Sequence, residues 1–96
     1  MPVRTLKVPN AVRDLIRHLH PQMKRKVRAA LNDILKDPNC GKPLERELKG
    51  YSSLRISQHR IIYRPDPAGA EIVAIGPRRT IYEETTQDVI SRRQKK

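Results

Sequence analysis

The sequence predicts an α+β fold: a small antiparallel sheet with an N-terminal helix hairpin packed on one face, in the order β-α-α-β-β-β with a candidate C-terminal helix. Three observations carry that expectation. Apolar residues recur at helical spacing on both sides of Pro21, as Val12, Leu15, Ile16 and Leu19 and then as Met23, Val27, Ala30, Leu31, Ile34 and Leu35. Residues 53–75 instead hold short alternating or β-branched runs broken by turn residues. Finally, 96 residues without Trp or Phe support one modest core of Leu, Ile, Val and Ala, which helices and sheet must share. We expect a single domain over residues 1–91 and a basic C-terminal tail over residues 92–96.

Val3 to Val8 alternates apolar and polar residues and reads as a short first strand. Pro9-Asn10 breaks it, and Asn10 has the side chain of a helix N-cap, able to accept an otherwise orphaned backbone N–H. The first helix runs to about His20, and Pro21, whose fixed φ suits a first turn, opens the second. Asp37-Pro38-Asn39-Cys40-Gly41 stops that helix after Lys36. So short a connection folds the two helices into an antiparallel hairpin. Residues 39–50 form a polar connection anchored by Leu44 and Leu48. Ser53 to Ser57 and His59 to Arg64 read as paired strands, and Pro65-Asp66-Pro67-Ala68-Gly69 as the turn that follows. Glu71 to Ile75 is more continuously apolar and reads as an interior strand ended by Gly76-Pro77. Thr80 to Tyr82 reads as a last short strand, Glu83 to Ile90 as a short helix, and Ser91 to Lys96 as a frayed basic end. The sheet face away from the helix hairpin has no evident second layer.

The formal net charge is +11, from 21 Lys and Arg against 10 Asp and Glu, which favours polyanionic partners through counterion release. Charge alone does not separate RNA, DNA, anionic lipid and an acidic protein. Cys40 is the single cysteine, and His18, His20 and His59 lack the spacing of a zinc site. No run approaches the ~20 apolar residues of a membrane span, and no apolar signal core opens the chain. We expect a soluble, cytoplasmic protein without metal, other cofactor or membrane partner.

The chemistry-bearing residues cluster between Leu48 and Tyr82. No acidic residue occurs from Leu48 to Arg64, while Lys49, Arg55, Arg60, Arg64, Arg78 and Arg79 supply cations through the segment. Strand alternation puts Ser53, Arg55 and Ser57 on one face and Leu54 and Ile56 on the other. With Leu54 and Ile56 toward the helices, Arg55 faces the open side, where hairpin pairing lets Arg60, Arg78 and Tyr82 converge on it. Guanidiniums grip phosphate bidentately and stay charged at any working pH. The plainer alternative is a solvated sheet face that simply displays its arginines. His59 has the titration range of a general acid or base, and Glu45 and Glu47 offer carboxylates. Their ordinary readings are a strand residue on the Ile61/Tyr63 face and members of a polar connection. Tyr63 reads as core and Cys40 as inert.

These residues resemble a known family. LKG at 48–50, LRISQHRIIYR at 54–64, IVAIGPRR at 72–79 and IYE at 81–83 are similar to the RelE/ParE superfamily of toxins from type II toxin–antitoxin systems, and the preceding strand and helix hairpin match its layout. The resemblance covers nearly the whole chain. In the RelE-like branch it implies an endoribonuclease, an mRNA interferase that cuts messenger RNA, commonly in the ribosomal A site, and inhibits translation. The 2′-hydroxyl attacks the adjacent phosphate, leaving a cyclic phosphate and a free 5′-hydroxyl, and no metal is required. By position the resemblance implies catalytic roles for Arg55, Arg60, Arg78 and Tyr82. Arg60 and Arg78 would stabilise the charged transition state, and Tyr82 would stack on a base or orient the 2′-hydroxyl. Arg64, Arg79 and Lys49 would bind RNA. The chain also departs from the family. Some members pair two lysines where it has Ser53 and Arg55, and others carry a histidine where it has Pro77. QHR at 58–60 resembles a Glu-His-Arg stretch of another branch. The general base is open between Glu47, His59 and Tyr82. The ParE-like branch implies instead a DNA gyrase inhibitor without nuclease activity, and a non-catalytic basic RNA-binding module is a third reading. The family further implies a cognate antitoxin laid over the basic surface, with DNA reached only through the antitoxin complex.

Overall fold

The computed structural model describes residues 4–94, with side chains described through Arg92. Val3, at the start of the expected first strand, and Lys95 and Lys96 of the expected tail lie outside the described residues. In chain order the elements are β1 (Thr5–Lys7), α1 (Asn10–Arg17), α2 (Pro21–Lys36), β2 (Lys42–Pro43), a 3-10 turn (Arg46–Leu48), β3 (Ser52–Ile56), β4 (His59–Asp66), β5 (Gly69–Pro77) and α3 (Ile81–Gln94). The strands form one five-stranded sheet in the order β1-β5-β4-β3-β2.

The α+β architecture and the helix hairpin agree with the sequence reading. From β2 to β5 every pairing is antiparallel, but β1 lies parallel to β5, with Thr5 opposite Gly69. The sheet is therefore mixed. Alternation identifies a strand's faces but not its neighbour, which is why the pattern missed this edge. Gly69 has φ +147°, and a Cβ there would lie 2.1 Å from the Thr5 carbonyl oxygen, so the close approach of β1 requires glycine.

Toward the helix hairpin the sheet presents Ile56, Ile61, Tyr63, Ile72 and Ile75, packed with Val12, Val27, Ala30 and Ile34. The opposite face is covered too. Ile62 points away from Ile61 and Tyr63 yet is fully buried, and Leu48, Ile81 and Val89 are buried as well, all outside the main cluster. The cover is α3, which carries Ile81 and Val89 and packs on β5 and on the 3-10 turn. This corrects the expectation of a bare face.

Other boundaries also move. Ile81 opens a helix, so Thr80 to Tyr82 is not a strand, and helix continues through Gln94 where a frayed end was expected from Ser91. Glu83 and Glu84 in its first turn complement the helix dipole, and Asp88 pairs with Arg92 one turn on, at 3.1 Å. Asn10 is the first residue of α1 rather than its cap, and makes no side-chain capping bond. α1 ends at Arg17, and His20 caps α2 through Nδ1, which accepts the Gln22 N–H at 3.2 Å. The polar connection contains the two-residue strand β2. Among the described residues no helix is long and apolar enough to cross a membrane.

Candidate functional site

Register builds the site. Arg55 on β3 is the direct partner of Arg60 on β4, and Arg60 is the partner of Gly76 on β5. Partners across antiparallel strands share a face, so both guanidiniums rise from the side opposite the helix hairpin, and Gly76 places no side chain beside Arg60. Beyond β5, the Arg78 backbone N–H donates to the Gln58 carbonyl at 2.9 Å. That bond clamps the turn carrying Arg78 and Arg79 against the β3–β4 turn. α3 then begins, and the Tyr82 hydroxyl donates to Ser53 Oγ at 3.0 Å. Arg55, Arg60, Arg78 and Tyr82 thus line one cleft of about 490 Å³, walled on its far side by Cys40, Gly41, Lys42 and Leu44.

The wall is held by Tyr63. Its ring is fully buried, and its hydroxyl donates to the Pro38 carbonyl at 2.8 Å and accepts the Gly41 N–H at 2.9 Å. Burial pushes the Tyr63 phenol up to about 12, so it remains a neutral donor at working pH. A Cβ on Gly41 would lie 2.5 Å from the Tyr63 hydroxyl and 2.7 Å from the Ser53 carbonyl. Only glycine lets the loop press this closely against β3. Lys42 follows as the register partner of Ser53, on the cleft face. The sequence reading missed Lys42, because a lone lysine in a polar connection carries no periodicity.

Among the described residues no carboxylate forms an ion pair with the arginines of the cleft. The ion pairs among the described residues are Asp14–Arg17, Arg64–Glu71 and Asp88–Arg92. Arg55 Nε reaches only the Ser57 carbonyl at 3.4 Å, and an Arg60 Nη reaches the His59 carbonyl at 3.2 Å. Like charges directly opposed across strands cost stability.

Arg79 and His59 line an adjoining cleft of about 600 Å³ that shares Arg55 and Arg78. His59 Nδ1 is buried without a hydrogen-bond partner among the described residues, and the ring belongs to the Ile61/Tyr63 face of its strand. The remaining sequence candidates are elsewhere. Arg64 pairs with Glu71 at 3.0 Å toward the other end of β4, and Lys49 and Glu47 are exposed at the 3-10 turn; none lines either cleft. Among the described residues no group of three or more His, Cys, Asp or Glu is placed to hold a metal ion.

Comparison with known proteins adds three findings. The profile of a family described as the ParE toxin of the type II toxin–antitoxin system parDE matches residues 6–82. No curated protein sequence gave a match. Among solved structures, the chain is similar to one in the RelBE2 toxin–antitoxin complex of Mycobacterium tuberculosis, with 30% identity over 80% of this chain and 99% of that one, at TM-score 0.68. A mutant E. coli RelE toxin in the free state aligns at 17% identity over 94% and 97% of the two chains, TM-score 0.69. The YoeB–YefM complex of Staphylococcus aureus aligns at 22% identity over 75% and 93%, TM-score 0.61. The latter two likenesses concern the fold alone.

Proposed function

We propose that this chain, which belongs to the RelE/ParE superfamily of type II toxin–antitoxin toxins, is an endoribonuclease that cuts messenger RNA and so arrests translation. One observation carries the reading: Arg55, Arg60 and Arg78 line a single cleft beside Tyr82, and among the described residues no carboxylate pairs with them. A backbone phosphate seated there receives bidentate charge-assisted bonds from arginines already in place. Attack by the neighbouring 2′-hydroxyl gathers negative charge on the phosphorane oxygens, and fixed cations stabilise that charge more than the ground state. Arg60 and Arg78 act in this way, Arg55 steadies the phosphate, and Arg79 extends the grip along the strand of RNA. The Tyr82 hydroxyl is tied to Ser53, which orients its ring to stack on a base.

A cognate antitoxin is the expected partner, since the M. tuberculosis and S. aureus neighbours are toxin–antitoxin complexes. An acidic segment that folds on binding would neutralise the same cations that hold RNA. The working place is the cytoplasm, where messenger RNA and ribosomes are. The test is to induce the toxin with and without a candidate antitoxin and map cellular RNA by primer extension. Discrete cuts within coding sequences, suppressed by the antitoxin, support the reading. The matched family profile favours a second one, inhibition of DNA gyrase. Intact messenger RNA together with stalled gyrase–DNA complexes would establish that alternative and overturn the first.

A further inference from the structure

We infer that Lys42 is the proton donor of this cleft, protonating the 5′-oxygen as it leaves phosphorus; the inference rests on the ribonuclease reading above. Metal-free cleavage needs a group that gives up a proton, and the arginines do not qualify, because a guanidinium holds its proton at every working pH. The other side chains lining the cleft with a transferable proton are Cys40, Lys42, Ser53 and Tyr82. The Tyr82 proton is committed to Ser53 Oγ at 3.0 Å, and Ser53 itself is 5% exposed. The Cys40 side chain lies beside the Tyr63 hydroxyl, whose hydrogen bonds go to Pro38 and Gly41. Lys42 is exposed and takes part in no ion pair among the described residues.

Its placement fits the role. β3 lies between β2 and β4 in the sheet, Lys42 is the partner of Ser53, and Arg60 is the partner of Arg55. A phosphate over β3 therefore has the Arg60 guanidinium on one side and the Lys42 ammonium on the other. The Tyr63–Gly41 hydrogen bond and the absence of a Cβ at Gly41 fix the backbone immediately before Lys42. In the step, the 2′-oxygen forms its bond to phosphorus and its proton passes to solvent water. The bond from phosphorus to the 5′-oxygen breaks, its electron pair leaves with that oxygen, and Lys42 Nζ supplies the proton that makes the 5′-hydroxyl. Solvent reprotonates the amine, and nothing is oxidised or reduced.

The test compares wild type, Lys42→Ala and Lys42→Arg on a short RNA, free and presented on programmed ribosomes. One RNA has an ordinary scissile phosphate, and a second replaces the bridging 5′-oxygen with sulfur, which leaves without protonation. Lys42→Arg keeps the charge and cannot transfer the proton. It is expected to lose roughly 100-fold or more on the ordinary RNA, to bind it as tightly as wild type, and to recover to near wild-type rate on the sulfur-containing RNA. A Lys42→Arg rate equal to wild type on ordinary RNA overturns the inference, as does an equal loss on both RNAs. Wild type that cuts neither RNA in either form overturns the ribonuclease reading, and this inference with it.

Discussion

Replacing Arg55 with Gln is expected to make the protein more stable while costing it activity. Arg55 and Arg60 are direct cross-strand partners, and neither meets a carboxylate among the described residues. Opposed like charges at such a pair cost ~0.2–1 kcal/mol. Arg55 is exposed, which places it near the middle of that range, at roughly 0.5 kcal/mol. Its bond to the Ser57 carbonyl, at 3.4 Å, is long and offsets little. For a domain of this size 1 kcal/mol corresponds to ~4–8 °C, so the gain in Tm is roughly 2–4 °C. Thermal unfolding followed by circular dichroism at low salt measures it. Screening shortens to ~3 Å at 1 M salt, so the gain should nearly vanish there. Arg60→Gln and the double variant complete the cycle. Once one charge is gone the second has nothing to repel, so the double variant should fall short of the sum of the singles. An Arg55→Gln protein no more stable than wild type at low salt, or strictly additive effects, would refute the reasoning.

Three further outcomes follow from the same geometry. Arg78→Ala should abolish growth arrest without altering the far-UV spectrum or Tm, because Arg78 is exposed and its clamp to Gln58 uses the backbone; undiminished toxicity would remove Arg78 from the site. Tyr63→Phe leaves the Pro38 carbonyl and Gly41 N–H unpaired and should cost ~1–3 kcal/mol at neutral pH by denaturant unfolding. The folded-state value of Tyr63 is raised to about 12, so its contribution is full below about pH 10 and is lost as pH climbs through about 12. The Phe variant should lack this alkaline slope, and equal slopes would rule out the cause. Gly41→Ala forces a Cβ against the Tyr63 hydroxyl and the Ser53 carbonyl, and should lower stability by ~1–3 kcal/mol; an unchanged Tm would show that the wall is not tightly seated.

Wherever one face of an element is buried and the other is not, its residues announced it. The stripe from Met23 to Leu35 and the alternation at Leu54 and Ile56 gave the hairpin and the strand that carries Arg55. Hairpin connectivity then brought Arg60 beside Arg55, since a short turn leaves few registers. What escaped depends on distant partners. The pairing of β1 with β5 leaves no local mark. Ile81 and Tyr82 look as much like strand as helix until α3 finds Leu48 and Ile62 to cover. Lys42 acquires meaning only when two residues of an otherwise polar loop add to the edge of β3. Arg64 looks free in the sequence, but Glu71 across the strand pair takes its charge up.

The parallel pairing of β1 with β5 also sets a timetable for synthesis. β1 leaves the ribosome first, yet Thr5 has no partner until Gly69 has been made. Until then the apolar side of the α1–α2 hairpin has only β3 and β4 to rest on, and such long-range pairings form slowly. The cleft is later still, because its lining runs from Cys40 to Tyr82 and Tyr82 stands in the first turn of the last helix. A nascent chain interrupted before that helix has arginines but no assembled site. Translation halted early therefore yields fragments without the assembled cleft, which is complete only in a nearly finished polypeptide.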